Sequence, residues 1–191
     1  MQNIAYVQQH NRKIQSRVRR RYSREHGALA ARGFEELCFY SERLGTLSAI
    51  RYLPMTLLML ANREVLGGHG RFDAGGSYVL MRHQHPATIA LPLGLGIKLY
   101  TGFTNGAVLI SANFESALQP AGDLIIKHSE KLPFEETWAL HQRRVEEIEN
   151  CGGQVVRSLD FDRYVEMSRK EDGASTCWPS CASQPHHVVC L

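Results

Sequence analysis

His83 and His85 are separated by one residue, so on a β-strand both imidazoles would project from one face. With His141 they are the candidates for acid–base chemistry. An imidazole titrates near neutrality, and when an Asp or Glu orients it, it serves as the general base of a small hydrolase. Glu115, Asp123, Asp160 and Asp162 are available as orienting carboxylates, and Ser111, Ser129, Cys38 and Cys151 as nucleophiles. None of them stands in a catalytic frame. There is no G-x-S-x-G elbow, no H-E-x-x-H and no Walker loop, and Gly94-x-Gly96 precedes a strand instead of opening a helix.

Cys177, Cys181, His186, His187 and Cys190 put soft thiolate and imidazole ligands within fourteen residues. Their spacing is compressed relative to a structural zinc site, and few apolar residues surround them to fold about an ion. His83 and His85 lack a third ligand at a suitable spacing. No metal and no cofactor is therefore assigned, and residues 171–191 read as a disordered tail.

A third group is cationic. Arg12, Lys13, Arg17, Arg19, Arg20, Arg21 and Arg24 flank the apolar residues Ile4, Val7, Ile14, Val18 and Tyr22, whose spacing fits one stripe of a helix. A basic amphipathic helix over residues 1–27 suits the phosphates of nucleic acid or the surface of an anionic membrane. Nothing in it reads a base.

The elements that must position these groups come from one domain. The chain has 191 residues, 43% of them hydrophobic and 21% charged, which supports one buried core. Its 22 basic and 19 acidic residues nearly balance, so the molecule as a whole is not strongly basic. The longest apolar run, residues 52–61, is interrupted by Pro54 and falls short of the roughly 20 residues a membrane span needs. With no secretory pattern at the N-terminus and five cysteines in no disulfide framework, a cytoplasmic protein with reduced thiols is expected.

The clearest local signal is residues 97–113. Asn105-Gly106 suits a two-residue type I′ turn pairing Thr104 with Ala107, which puts Ile97, Leu99, Phe103, Val108 and Ile110 on one face. Lys98, Tyr100, Thr104 and Ser111 then line the other face, which is expected to meet water or a partner. Further strands are expected near residues 34–40, 47–53, 55–61, 77–83, 88–91 and 123–127, with a helix over 56–66 as the alternative to the third. Pro133, Glu135 and Glu136 open a helix whose face carries Phe134, Trp138, His141, Val145 and Ile148, and Cys151-Gly152-Gly153 stops it. A last amphipathic stretch covers residues 160–169. The sum is an α+β fold: an antiparallel sheet with the N-terminal basic helix (1–27) and C-terminal helices packed on one face of a single domain (28–170).

Three segments, A-R-G-F-E-E-L at 31–37, T-G-F-T-N-G-A-V-L-I-S-A-N at 101–113 and P-F-E-E-T-W-A-L-H at 133–141, occur in this order. Together they resemble a group of uncharacterised bacterial α+β proteins carrying a Thr-x-Phe-x-Asp-Gly-x-x-Leu-x-Thr-Ser-Asn hairpin motif. Asn105, Ser111 and Ala112 depart from it. The resemblance covers residues 28–170 and implies a fold without supplying a reaction. The expected function is a non-catalytic binding or interaction module that contacts a polyanion through the basic helix. A small hydrolase using His83, His85 or His141 is the alternative, and a subunit of a homo-oligomer a third reading.

Overall fold

The computed structural model describes residues 4–44, 76–114 and 125–174. The elements run β1 (Ile4–Gln8), α1 (Arg12–Arg21), α2 (Ser23–Ala30), β2 (Glu35–Leu44), β3 (Ser77–Gln84), β4 (Ala87–Leu93), β5 (Gly96–Gly102), β6 (Val108–Ala112), β7 (Ile125–Ser129), α3 (Phe134–Asn150) and α4 (Phe161–Ala174). Sheet order follows chain order from β1 to β7. Neighbours are antiparallel throughout except β6 and β7, which run parallel. The chain is thus α+β, built on an antiparallel sheet. The strands expected within residues 47–61 and the Cys/His-rich tail lie outside the described residues.

Local chemistry sets the helix limits. Asn11 caps α1 by accepting a hydrogen bond from the Lys13 amide at 3.0 Å, satisfying one of the donors a helix start leaves open. Asp160 does the same for α4, accepting from the Arg163 amide at 2.8 Å. α3 begins after Pro133 with Glu135 and Glu136 in its first turn. It stops where Gly152 adopts φ 89° and the Gly153 amide reaches back to the Ile148 carbonyl.

The first segment differs from the expected single helix. Ile4–Gln8 is a strand pairing β2 from Ile4↔Leu44 to Gln8↔Tyr40, so Ile4 and Val7 belong to the sheet and α1 keeps only Ile14, Val18 and Tyr22 as its packed side. Ile-Ala-Tyr-Val satisfies the two-residue period of a strand as well as it fits a helical stripe, and pairing with β2 decides between them.

The hairpin forms, with a different turn and register. Gly106 donates to the Phe103 carbonyl at 3.0 Å, the Phe103 amide donates to Ala107 at 2.9 Å, and Gly106 has φ 87°. This is a three-residue loop closed by a left-handed glycine, and it pairs Gly102 with Val108. One extra loop residue moves each β6 side chain to the opposite face from that expected. Leu99 and Thr101 now share a face with Leu109 and Ser111, while Tyr100 joins Val108 and Ile110.

Both faces are covered. On one, Val18, Tyr22, Leu29, Phe134 and Trp138 from α1, α2 and α3 pack on Phe39, Val79, Met81, Ala90, Ile97 and Leu99. On the other, Tyr164 and Met167 of α4 cover Tyr40, Leu80, Ile89, Leu91, Tyr100, Val108 and Ile110. The helices therefore lie on two sides of the sheet, and the face expected to meet water is sealed by α4. Gly102 permits the close fit, since a Cβ there would come within 2.7 Å of the Arg163 guanidinium and 3.1 Å of Met167 Sδ.

Candidate functional site

The basic residues come to the surface as a group. α1 docks by Ile14, Val18 and Tyr22, which turns Arg12, Lys13, Arg17, Arg19, Arg20 and Arg21 outward, and Arg24 follows at the start of α2; all seven are exposed. α1 contains no acidic residue. Arg19 is committed to Glu36 of β2 through paired bonds of 2.7 and 2.6 Å, and its guanidinium lies 4.8 Å over the Phe39 ring. The Arg19 hydrogen bond, helped by one from His26 Nε2 at 2.8 Å, holds the Glu36 carboxyl below its usual range against the opposing effect of burial. Arg21 lies over Tyr22. Among the described residues, Arg12, Lys13, Arg17, Arg20 and Arg24 have no carboxylate within ion-pair distance. Residues 4–44 hold nine basic and four acidic side chains, against thirteen and fifteen in the rest of the chain, so the positive excess is concentrated here.

The histidines occupy three different settings. His141 is fully buried, sharing a 2.8 Å hydrogen bond between Nδ1 and Ser111 Oγ and a 3.0 Å bond between Nε2 and Thr101 Oγ1. Thr101 in turn meets Thr88 Oγ1 at 2.9 Å. These four side chains are at most 1% exposed, so the chain of hydroxyls and imidazole is closed to any substrate. His83 is half-buried, packed against Phe34 and Trp138, and its Nδ1 accepts from the His85 amide. His85 itself is exposed in the β3–β4 turn. Trp138 stands between His83 and His141, with centroid distances of 5.1 and 5.9 Å. Lys98 and Tyr100 belong to the opposite side of the sheet, so no concavity gathers them with the histidines.

That opposite side holds a second polar cluster. Glu171 of α4, assigned from sequence to the tail, is buried and accepts from Lys98 Nζ at 2.8 Å and from Tyr100 Oη at 2.9 Å. The Tyr40 and Tyr164 hydroxyls share a 2.6 Å bond, and Tyr6 Oη meets Ser168 Oγ at 3.0 Å. Burial pushes the Tyr40 and Tyr164 phenols well above their ordinary range. Lys98 and Tyr100 alternate on one strand face, which the sequence does reveal. Their partner lies about seventy residues away on a helix, beyond the reach of any local pattern.

Of the other candidates, burial pushes the Cys38 thiol up to about 11, so it is protonated at neutral pH. Cys151 is exposed at the end of α3. Asp160 is a helix cap. Asp162 lines an open concavity of about 540 Å³ with Tyr6, Phe161, Val165, Glu166, Arg169 and Lys170. Glu166 there is already engaged by Arg163 and Lys170 at 2.6 and 2.9 Å. Among the described residues no group of three His, Cys, Asp or Glu side chains is arranged to hold a metal. No described helix is long and apolar enough to cross a membrane. Glu115, Asp123, Cys177, Cys181, His186, His187 and Cys190 lie outside the described residues. Comparison with family models, with curated proteins and with solved structures finds no match to this chain.

Proposed function

We propose that this protein is a non-catalytic binding module that contacts a polyanion through the exposed surface of α1. The observation that carries the reading is the cation-only helix, fixed to the sheet by Ile14, Val18 and Tyr22 so that its arginines face solvent. Helices on soluble proteins ordinarily mix both charge signs on the outer face, which lowers self-repulsion. Apart from Arg19, which Glu36 holds, the helix keeps five cations together and bears their mutual repulsion. An anionic partner removes it. Guanidinium groups suit phosphate or sulfate, which they meet with two parallel hydrogen bonds. The hydrolase reading has less support, because His141 is sealed, His83 is held by two aromatic rings, and neither lines the concavity beside α4.

Retention of the full chain on immobilised heparin tests this. The wild-type protein is expected to elute only at elevated salt, and the Arg12→Glu/Arg17→Glu/Arg20→Glu variant near the void. Absence of retention for the wild-type chain would sink the reading. Truncating residues 1–26 is not a clean test, since it removes β1 and the core residues Val18 and Tyr22.

A further inference from the structure

We infer that the polyanion is a double-stranded nucleic acid, gripped along its phosphate backbone by α1 without reading of base sequence; this rests on the polyanion reading above. Three observations separate a duplex from a bilayer and from a single strand.

The first is where the apolar side of α1 goes. A helix that enters a membrane interface buries its greasy face among the acyl chains. Here Val18 and Tyr22 are 3% exposed and Ile14 packs on the same cluster, so that face is spent on the sheet. The exposed large apolar residues among those described are Val7 in β1 and Leu95 in the β4–β5 turn, neither on α1.

The second is the shape of the charge. At about 100° per residue, Arg12, Lys13, Arg17, Arg20 and Arg21 sweep roughly half the circumference of α1, a rod about 15 Å long. On the other flank Arg19 is held down by Glu36. The free cations of α1 thus form a single strip along the helix, which Arg24 extends at the start of α2. α3 packs on the same side of the sheet and exposes Glu135, Glu136, Glu146 and Glu149 against a single exposed cation, Arg143. A flat anionic surface pressed against this side would meet those glutamates as well as the arginines. A linear polymer laid along α1 meets the arginines alone.

The third concerns bases. Single strands are held by stacking on exposed aromatic rings, each worth about 1–3 kcal/mol per base. No described Tyr, Phe or Trp is exposed, and Tyr22, the aromatic residue of this surface, is buried against Tyr78. No exposed Asn or Gln within α1 is placed among the cations to read a base edge, since Gln15 is tied to the Gln9 carbonyl at 2.9 Å. What remains is contact with phosphate and sugar, which positions a duplex and carries no sequence information.

The test is fluorescence anisotropy of the full chain with two 20-base-pair DNA duplexes of unrelated sequence, with one of the separated strands, and with vesicles of 70:30 phosphatidylcholine and phosphatidylserine. Expected is equal affinity for the two duplexes, weaker binding to the strand and to the vesicles, and a plot of log affinity against log salt with slope about −4 to −5. Arg12→Glu/Arg17→Glu/Arg20→Glu should weaken duplex binding at least tenfold with an unchanged circular dichroism spectrum, and Arg143→Glu on α3 should not weaken it. Vesicles or single strand bound more tightly than duplex, or duplex binding indifferent to the triple substitution, would overturn the inference. Heparin retention without duplex binding would also overturn it and leave the broader reading standing; loss of heparin retention removes both.

Discussion

His141 is the residue that best separates a working base from a core member. Each ring nitrogen meets a hydroxyl, and the ring is fully buried. Replacing it with Leu, which has similar volume, leaves Ser111 without its 2.8 Å partner and shortens the hydroxyl chain to Thr101 and Thr88. A loss of about 2–4 kcal/mol in urea unfolding is expected. A change below about 0.5 kcal/mol would mean that the network contributes nothing to stability. The sequence placed His141 on the buried face of α3 through its spacing with Phe134, Trp138 and Val145. It could not supply Thr88, Thr101 or Ser111, because those partners come from three different strands and depend on register. The same limit hid Glu36, whose grip on Arg19 takes one of the seven expected cations out of play.

At the level of elements, legibility followed redundancy of signal. α3 carries a proline start, early glutamates, an apolar stripe and a glycine stop, and each points to the same helix. β1 carries only a short apolar alternation, which two periods fit, so the sequence alone does not separate it from α1. The hairpin shows a finer ambiguity. Asn-Gly serves a type I′ turn, and it serves equally the end of a three-residue loop with glycine left-handed; the two differ by one residue and hence by every face assignment. For α4 the cap is the testable feature. The amide of Arg163, and after it the Ser158 hydroxyl, hold the Asp160 carboxyl below its usual range. A depressed folded pKa means the contribution is complete above the unfolded value of about 3.9 and fades as pH falls through the folded one. Asp160→Ala should therefore cost about 1 kcal/mol at pH 7, and the gap between the two proteins should close below about pH 4. A gap that persists into acid would show that the cap does not act through its charge.

For the whole molecule, the two-sided cover is what the sequence under-read. A sheet with one apolar and one mixed face was expected, and the register shift gave Tyr100, Val108 and Ile110 a common side that needs α4. A chain ending at Leu159 should bind the dye ANS strongly and lose its single cooperative unfolding transition. Weak dye binding with a sharp transition would show α4 to be an accessory. The segregation of charge, with cations on α1 and glutamates on α3, belongs to this scale too. Each cluster lies within one window of the chain; that both fall on the same side of the sheet comes from the packing of α1 and α3.

The α4 cover is also the last of the described elements to be made. During synthesis β1 to β6 leave the ribosome before residues 161–174, at about 5–20 residues per second. Until then the patch formed by Tyr40, Leu80, Ile89, Tyr100 and Ile110 has no lid. Over that interval the nascent sheet carries an apolar patch that only the last described helix can cover.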